Sequence, residues 1–208
     1  MVRADLCVEA IRLGRFVRAL MAPQAPAEVN GLLALMLLHD SRREARLDEA
    51  GDVVLLEEQD RSRWNQKQIA EAMPLVEAAL NDGAGLFTLQ AAIAALHCQA
   101  ARAEDTDWPQ IVALYDLLER LQPSAIIALN RAAAVSMVNG PEAGLALMDA
   151  LTEELDGYHL LHAARADLLR RAGSLPQAAE SYKRALDLVT NDSERRFLER
   201  RLREVQPT

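Results

Sequence analysis

An all-α chain, built as a stack of antiparallel helix pairs, is the fold class this sequence predicts, and three observations lead there. Ala and Leu, the strongest helix formers, number 37 and 34 among 208 residues, against only 9 Gly and 8 Pro. Aromatic residues are 4% of the chain, and with β-branched residues scarce this argues against a sandwich, a barrel or a doubly wound sheet. Apolar positions recur at helical spacing along most of the length, and a helix-pair pattern stands in the second half. Half the residues are apolar and 26% are charged, so the chain folds rather than staying disordered.

The elements follow in order. Over residues 2–20, Leu6, Ala10, Leu13, Phe16, Val17 and Leu20 form one helical stripe, with Arg3, Arg12, Arg15 and Arg18 off it. Met21-Ala22-Pro23 ends this helix, because the residue before proline avoids the α region. Residues 27–39 are apolar nearly all round (Leu32, Leu33, Leu35, Met36, Leu37, Leu38), which places that helix at the centre. Residues 46–56 break the pattern with a Gly51-Asp52 turn signal and a short β-branched run, predicting a small hairpin or an extended loop. Asn65 caps a helix over 66–80, in which Pro74 predicts a kink or fraying. Residues 81–85 (NDGAG) form a break.

Beyond it the chain reads as helix after helix. Residues 87–101 come first, then an acidic loop over 104–107. Thr106 or Asp107 caps a helix with Trp108 and Pro109 in its first turn, ending near 121 ahead of Pro123. Helices over 124–138 and 142–155 flank the Asn139-Gly140-Pro141 turn. Helices over 159–171 and 177–188 flank Gly173, and a charged helix over 193–205 closes the chain with Asn191 or Asp192 as cap. With no Gly/Ser-rich linker near Asn81, the expectation is a single helical domain. Residues 1–80 supply the N-terminal helices and the irregular segment, and 87–205 the helix pairs.

Residues 158–192 carry the repeat. Ala166 sits where two helices approach, Leu169 fills the bulky position one turn later, and Gly173 closes the first helix. Leu175, Ala178, Tyr182, Ala185 and Leu186 then follow with small–aromatic–small spacing. This matches the tetratricopeptide helix pair. Gly140 and Gly173 stand close to its 34-residue period, and Tyr115 and Pro123 have the spacing of its aromatic and terminal proline.

Charge and cysteine content narrow the partners. A net charge of −8 opposes a phosphate backbone, so the chain alone is a poor DNA binder. Cys7 and Cys98 lie within apolar helical patterns and read as small core residues in a reducing, cytoplasmic compartment. The longest apolar run, 31–38, is too short to span a bilayer. No glycine-rich phosphate loop, nucleophile elbow or HExxH motif occurs. His159 and His162 share a helix face but read as packing residues rather than metal ligands. His97 and Cys98, adjacent in sequence, point to different faces and do not form a nucleophile–base pair. The acids of 104–107 read as a solvated cap. The arginines of 193–205 are interleaved with Glu194, Glu199 and Glu204, which predicts local ion pairing. The sequence therefore assigns no catalytic, cofactor-binding or metal-binding residue, and reads as a non-enzyme.

Several blocks carry a resemblance across nearly the whole chain. They are LCVEAIRLGR from Leu6, LLALMLLHDSRREAR from Leu32, LLEEQDRSRW from Leu55, LQAAIAALH from Leu89 and EDTDWPQIVALYDLL from Glu104. ALNRAAAV from Ala128, GPEAGLALMDAL from Gly140, YHLLHAARADLLRR from Tyr158 and ERRFLERRL from Glu194 complete the series. In this order they resemble the C-terminal, tetratricopeptide-like extension of a group of bacterial extracytoplasmic-function RNA polymerase sigma factors. The two promoter-reading domains of such factors have no counterpart in this sequence, which starts where the extension would follow the linker.

The resemblance implies a regulatory, protein-binding role in transcription initiation. Its partners would be the sigma promoter-reading domains, the polymerase core, or both. A free-standing tetratricopeptide-like adaptor for peptide segments is the alternative. The polar residues bunched in the irregular segment, Asp40, Arg42, Arg43, Asp60, Arg61, Arg63 and Trp64, are the candidate interaction site, because a helix-pair stack does not need them to fold. The competing reading pairs Arg61 or Arg63 internally with Asp40 or Asp60 and packs Trp64 as core. The oligomeric state is left open.

Overall fold

The structure, a computed structural model, describes residues 3–206 and is all-α. Among the described residues there are eleven α-helices, three 3-10 turns and no strand. By backbone contact the chain divides into two compact units.

The first unit holds α1 (Ala4–Leu20), α2 (Ala27–Ser41), α3 (Gln66–Asp82) and α4 (Leu86–Gln99), with 3-10 turns at Arg43–Ala45, Arg61–Arg63 and Ala103–Asp105. Helix α2 is its axis, packed by α1, α3 and α4 together, and Leu33, Ala34, Leu37 and Leu38 are fully buried. A helix flanked on three sides needs apolar residues all round, as its sequence has. At the α2–α4 crossing a Cβ added to Gly31 would lie 2.6 Å from the Thr88 amide nitrogen, so only glycine permits this approach. Glu28 of α2 then reaches the start of α4. Its carboxylate accepts hydrogen bonds from the Phe87 and Thr88 amides, each at 3.0 Å, and from Thr88 Oγ1 at 2.9 Å. Burial alone would raise this carboxyl, but the donors outweigh it and lower its pKa. Helix α4 thus belongs with α2 and α3, rather than with the later helix pairs where its sequence position had grouped it. Helix α3, capped by Asn65 as expected, runs through Pro74 to Asp82.

The second unit holds α6 (Ala125–Asn139), α7 (Pro141–Asp149), the short α8 (Thr152–Leu155), α9 (His159–Arg171), α10 (Leu175–Leu188) and α11 (Asp192–Val205). The loop 48–53 and residues 108–119 of α5 (Trp108–Leu121) belong to it as well. The α9–α10 pair carries most of the repeat positions inward, though Leu175 stays 43% exposed. Ala166, Leu169, Ala178, Tyr182 and Ala185 form one buried cluster with Leu198 and Val205 of α11. Gly173, with φ +79°, lets the chain leave α9 in the left-handed region. A second cluster joins Leu129, Ala132, Met148, Leu155, Leu161 and Leu168.

Three local expectations change. The helix expected over 142–155 is interrupted at Ala150–Leu151, and the Thr152 hydroxyl turns back to the Met148 carbonyl. The small hairpin over 46–56 is reduced to one bridge between Leu47 and Val53. Asp48 Oδ1 accepts both the Ala50 and Asp52 amides at 2.9 Å, curling the segment into a tight loop before a ladder can form. Arg196 and Arg200 of α11 reach Asp52 of that loop, the former at 2.5 Å, instead of their own helix's glutamates. Arg201 does pair with Glu204.

Candidate functional site

The predicted interaction residues fall into the first unit, and the structure sorts them. Asp40 pairs with Arg43 one helical turn on and accepts Gln68 Nε2 at 2.8 Å, so this acid and base close an internal network with α3. Asp60 caps the 3-10 turn, accepting the Ser62 amide at 2.9 Å and hydroxyl at 2.7 Å; these bonds lower its carboxyl pKa. Arg61 folds back over the Trp64 ring, 4.5 Å from its centroid. Its Nη1 donates to the His97 carbonyl at 2.6 Å and to that of Ala100 at 2.9 Å. Arg42 is buried against the same indole at 5.9 Å. Trp64 itself is 3% exposed, so it packs in the core and presents no ring to a partner. Arg63 and Asp60 are the exposed members of the set, and Arg63 meets Asp60 only through their charges. The internal-pairing reading thus holds for most of this segment, although the pairs differ: Arg43 takes Asp40, and Arg61 takes main-chain carbonyls.

The two histidines of α9 are also engaged locally. His159 Nε2 lies 2.9 Å from Glu194 Oε2, and His162 Nε2 lies 2.8 Å from the Asp156 carbonyl.

The surface that sequence reasoning missed is α1. Of the stripe residues read from spacing, Leu6, Leu13, Phe16, Val17 and Leu20 are all more than two-fifths exposed, Leu20 at 69%, and Met21 beside them is 44% exposed. What α1 turns toward α2 and α3 is its other side. Ile11 is buried, a Cβ on Gly14 would meet Met36 and Leu33, Arg18 donates to Asn30 Oδ1 at 2.8 Å, and Arg15 holds Glu71 through two bonds. On a helix anchored along its opposite side, this leaves a contiguous apolar face uncovered, larger than the scattered apolar residues normal on a protein surface. Fully burying an exposed Leu or Phe side chain is worth about 1.5–3 kcal/mol, and these six, 44–69% exposed, retain roughly half of that each. The signal was in the sequence, since Arg15 and Arg18 sit off the stripe, but the spacing did not say which face the fold would cover.

Residues 1–80 match a family described as "Family of unknown function (DUF6596)". The chain is 48% identical over 202 residues to "Uncharacterized protein R00370" of Rhizobium meliloti (strain 1021). That alignment takes in 97% of this chain and 47% of the relative, so the chain spans about half the length of the curated protein it matches. No solved structure matches it significantly. Among the described residues no helix is long and apolar enough to cross a membrane.

Proposed function

We propose that this chain is the regulatory, protein-binding portion of a bacterial extracytoplasmic-function sigma factor, acting in the cytoplasm during transcription initiation. The ordered sequence blocks supply the resemblance, and the uncovered apolar stripe of α1 is the observation that carries the reading. A regulatory domain of this kind has to lie against another protein body, either the promoter-reading domains of its own factor or the polymerase. The α1 face offers an apolar seat for such a body, and the chain as a whole, at a net charge of −8, attracts the basic surfaces that DNA-reading domains carry. The 48% identical relative has more than half of its length outside the match, which leaves room for two small promoter-reading domains. The interaction surface is thereby moved from the 60–64 segment to α1, with Arg63 the one exposed arginine of that segment left to contribute.

A photo-crosslinking phenylalanine analogue at position 16, introduced in the intact protein in cells, tests the reading. Crosslinks to sigma promoter-reading domains or to a polymerase subunit are expected. Phe16→Asp and Leu20→Asp are expected to weaken that association by about tenfold or more, since buried hot-spot anchors cost about 2 kcal/mol or more. Both variants should melt like the parent, because neither side chain is buried. Crosslinks confined to unrelated peptide segments would overturn the reading in favour of a free-standing adaptor.

A further inference from the structure

The C-terminal ends of α2 and α4 meet beside the Arg61–Arg63 turn, and this corner of the first unit gathers His39, Arg42, Arg46, Arg61, His97 and Cys98. Arg42 is 8% exposed. Its Nη2 lies 3.2 Å from His39 Nδ1, and its buried Nε has no hydrogen-bond partner. Arg46 Nη2 lies 3.3 Å from the same His39 nitrogen and donates to the His39 carbonyl at 3.0 Å. Arg61 is fixed by the Trp64 ring and by two carbonyls at the end of α4.

None of these three guanidiniums forms a carboxylate ion pair among the described residues, because the neighbouring acids are engaged elsewhere. Asp40 belongs to Arg43 and Gln68, and Asp60 to Ser62. Asp105, near enough to favour the Arg61 charge, is held by two bonds from Arg102 at 3.1 Å.

Charge arithmetic shows what is missing. Each helix C-terminus contributes about half a negative charge, so two of them leave roughly two of the three positive charges uncompensated. Burial first, then the Arg46 and Arg61 charges, push the Arg42 guanidinium below its ordinary value. His39 keeps solvent access on one side. Desolvation of its ring, then the Arg42 and Arg46 charges, still brings its pKa down to about 4. Burial, then Arg42, Arg61 and His39, do the same for His97. Both rings are therefore neutral at pH 7. With Nδ1 of His39 facing two guanidiniums as an acceptor, its Nε2 carries the proton and is a donor. The Cys98 thiol, raised by burial, stays protonated. The corner is thus a preorganised set of donors around a buried, unpaired cation, a state that is costly without an anion.

We propose that this corner binds a phosphoryl group. Two residual positive charges match a dianionic phosphate monoester and exceed what one carboxylate neutralises, and guanidinium forks fit phosphate oxygens in pairs. Arg42 supplies the buried charge with its unpartnered Nε, Arg46 a second, half-exposed guanidinium, and Arg61 a third, held in place by carbonyls and indole. The phosphoryl group belongs either to a small phosphate ester or to a phosphorylated protein side chain. The site does not depend on the transcriptional reading, and its test uses this chain alone.

Calorimetric titration and thermal melts with inorganic phosphate, against sodium chloride and acetate at equal ionic strength, test the proposal. A saturable rise in melting temperature with phosphate only is expected. Arg46→Gln, which leaves the buried residues in place, is expected to weaken phosphate binding about tenfold while melting like the parent. Arg42→Gln should abolish binding, and if that variant fails to fold, Arg46→Gln alone decides. Binding of O-phosphoserine equal to that of a neutral phosphoserine peptide assigns the site to small phosphate esters. A peptide at least tenfold tighter, with its unphosphorylated form silent, assigns it to a phosphoprotein. Equal melting in phosphate and chloride, or Arg46→Gln binding like the parent, would overturn the proposal.

Discussion

Arg61 and Arg63 stand two residues apart in one 3-10 turn and do opposite work. The guanidinium of Arg61 lies on the Trp64 ring and carries two hydrogen bonds to the end of α4, while that of Arg63 points into solvent. Arg61→Ala removes a partly desolvated cation–π contact and leaves the Ala100 and His97 carbonyls with one donor fewer. The expected loss of folding stability is about 1.5–3 kcal/mol. Arg63→Ala is expected to change stability by less than about 0.5 kcal/mol. Urea unfolding of both variants checks this, and an Arg63→Ala loss as large as that of Arg61→Ala would contradict the assignment. The composition of the DRSRW motif was legible as unusual, but its roles were not. In a turn one residue of advance swings a side chain by about 120°, so nothing in the spacing separates the inward arginine from the outward one. The indole was equally ambiguous, since tryptophan is favoured both in cores and at interfaces.

Helices were legible where one face had a unique partner. The all-round apolar character of α2 predicted its central place, and the small–aromatic–small spacing of 178–185 predicted the buried face of α10, with Ala178, Tyr182 and Ala185 at 0–1% exposure. Helix α1 shows the converse. Its stripe was read from spacing, but periodicity says which residues share a face and not what that face meets. The pairing of Arg196 with Asp52, 144 residues apart, lay beyond any local pattern. The Gly31 contact is another long-range feature, and it yields a direct test. Alanine there gains about 1 kcal/mol of helix propensity. Its Cβ would press on the Thr88 amide nitrogen at 2.6 Å and Cα at 2.8 Å, backbone atoms that cannot rotate away. Overpacking of this kind costs typically 1–3 kcal/mol and more when the neighbour is rigid. Gly31→Ala is therefore expected to lower stability by about 1–2 kcal/mol, seen as an earlier urea midpoint with an unchanged slope. An unchanged or later midpoint would mean that α2 and α4 do not approach this closely in solution.

On the scale of the whole molecule, charge decides what the chain does with nucleic acid. The excess of 31 acidic over 23 basic residues sets the net charge at −8, and most arginines are tied to carboxylates or carbonyls. Duplex binding draws its non-specific affinity from releasing counterions, and a protein making six to ten phosphate contacts needs that many cations along one face. Among the described residues, Arg42, Arg46 and Arg61 stand together without carboxylate partners, one of them buried, which is a compact corner and not a track of cations along one face. Four of the five arginines of α11, which by sequence look like a basic face, are divided among Asp52, Glu204 and the last carbonyls of α10, while Arg203 is exposed. Among the described residues, the α11 face is thus left with a single exposed arginine outside these pairs rather than a row of free cations for a groove. We expect this chain to show no saturable binding to labelled promoter duplex in the micromolar range at about 150 mM salt, where the Debye length is about 8 Å. Weak association that appears only at about 10 mM salt is compatible with long-range electrostatics alone. Saturable micromolar binding at the higher salt would mean that these arginines exchange their internal partners for phosphates, and would return direct DNA contact to the account of this chain.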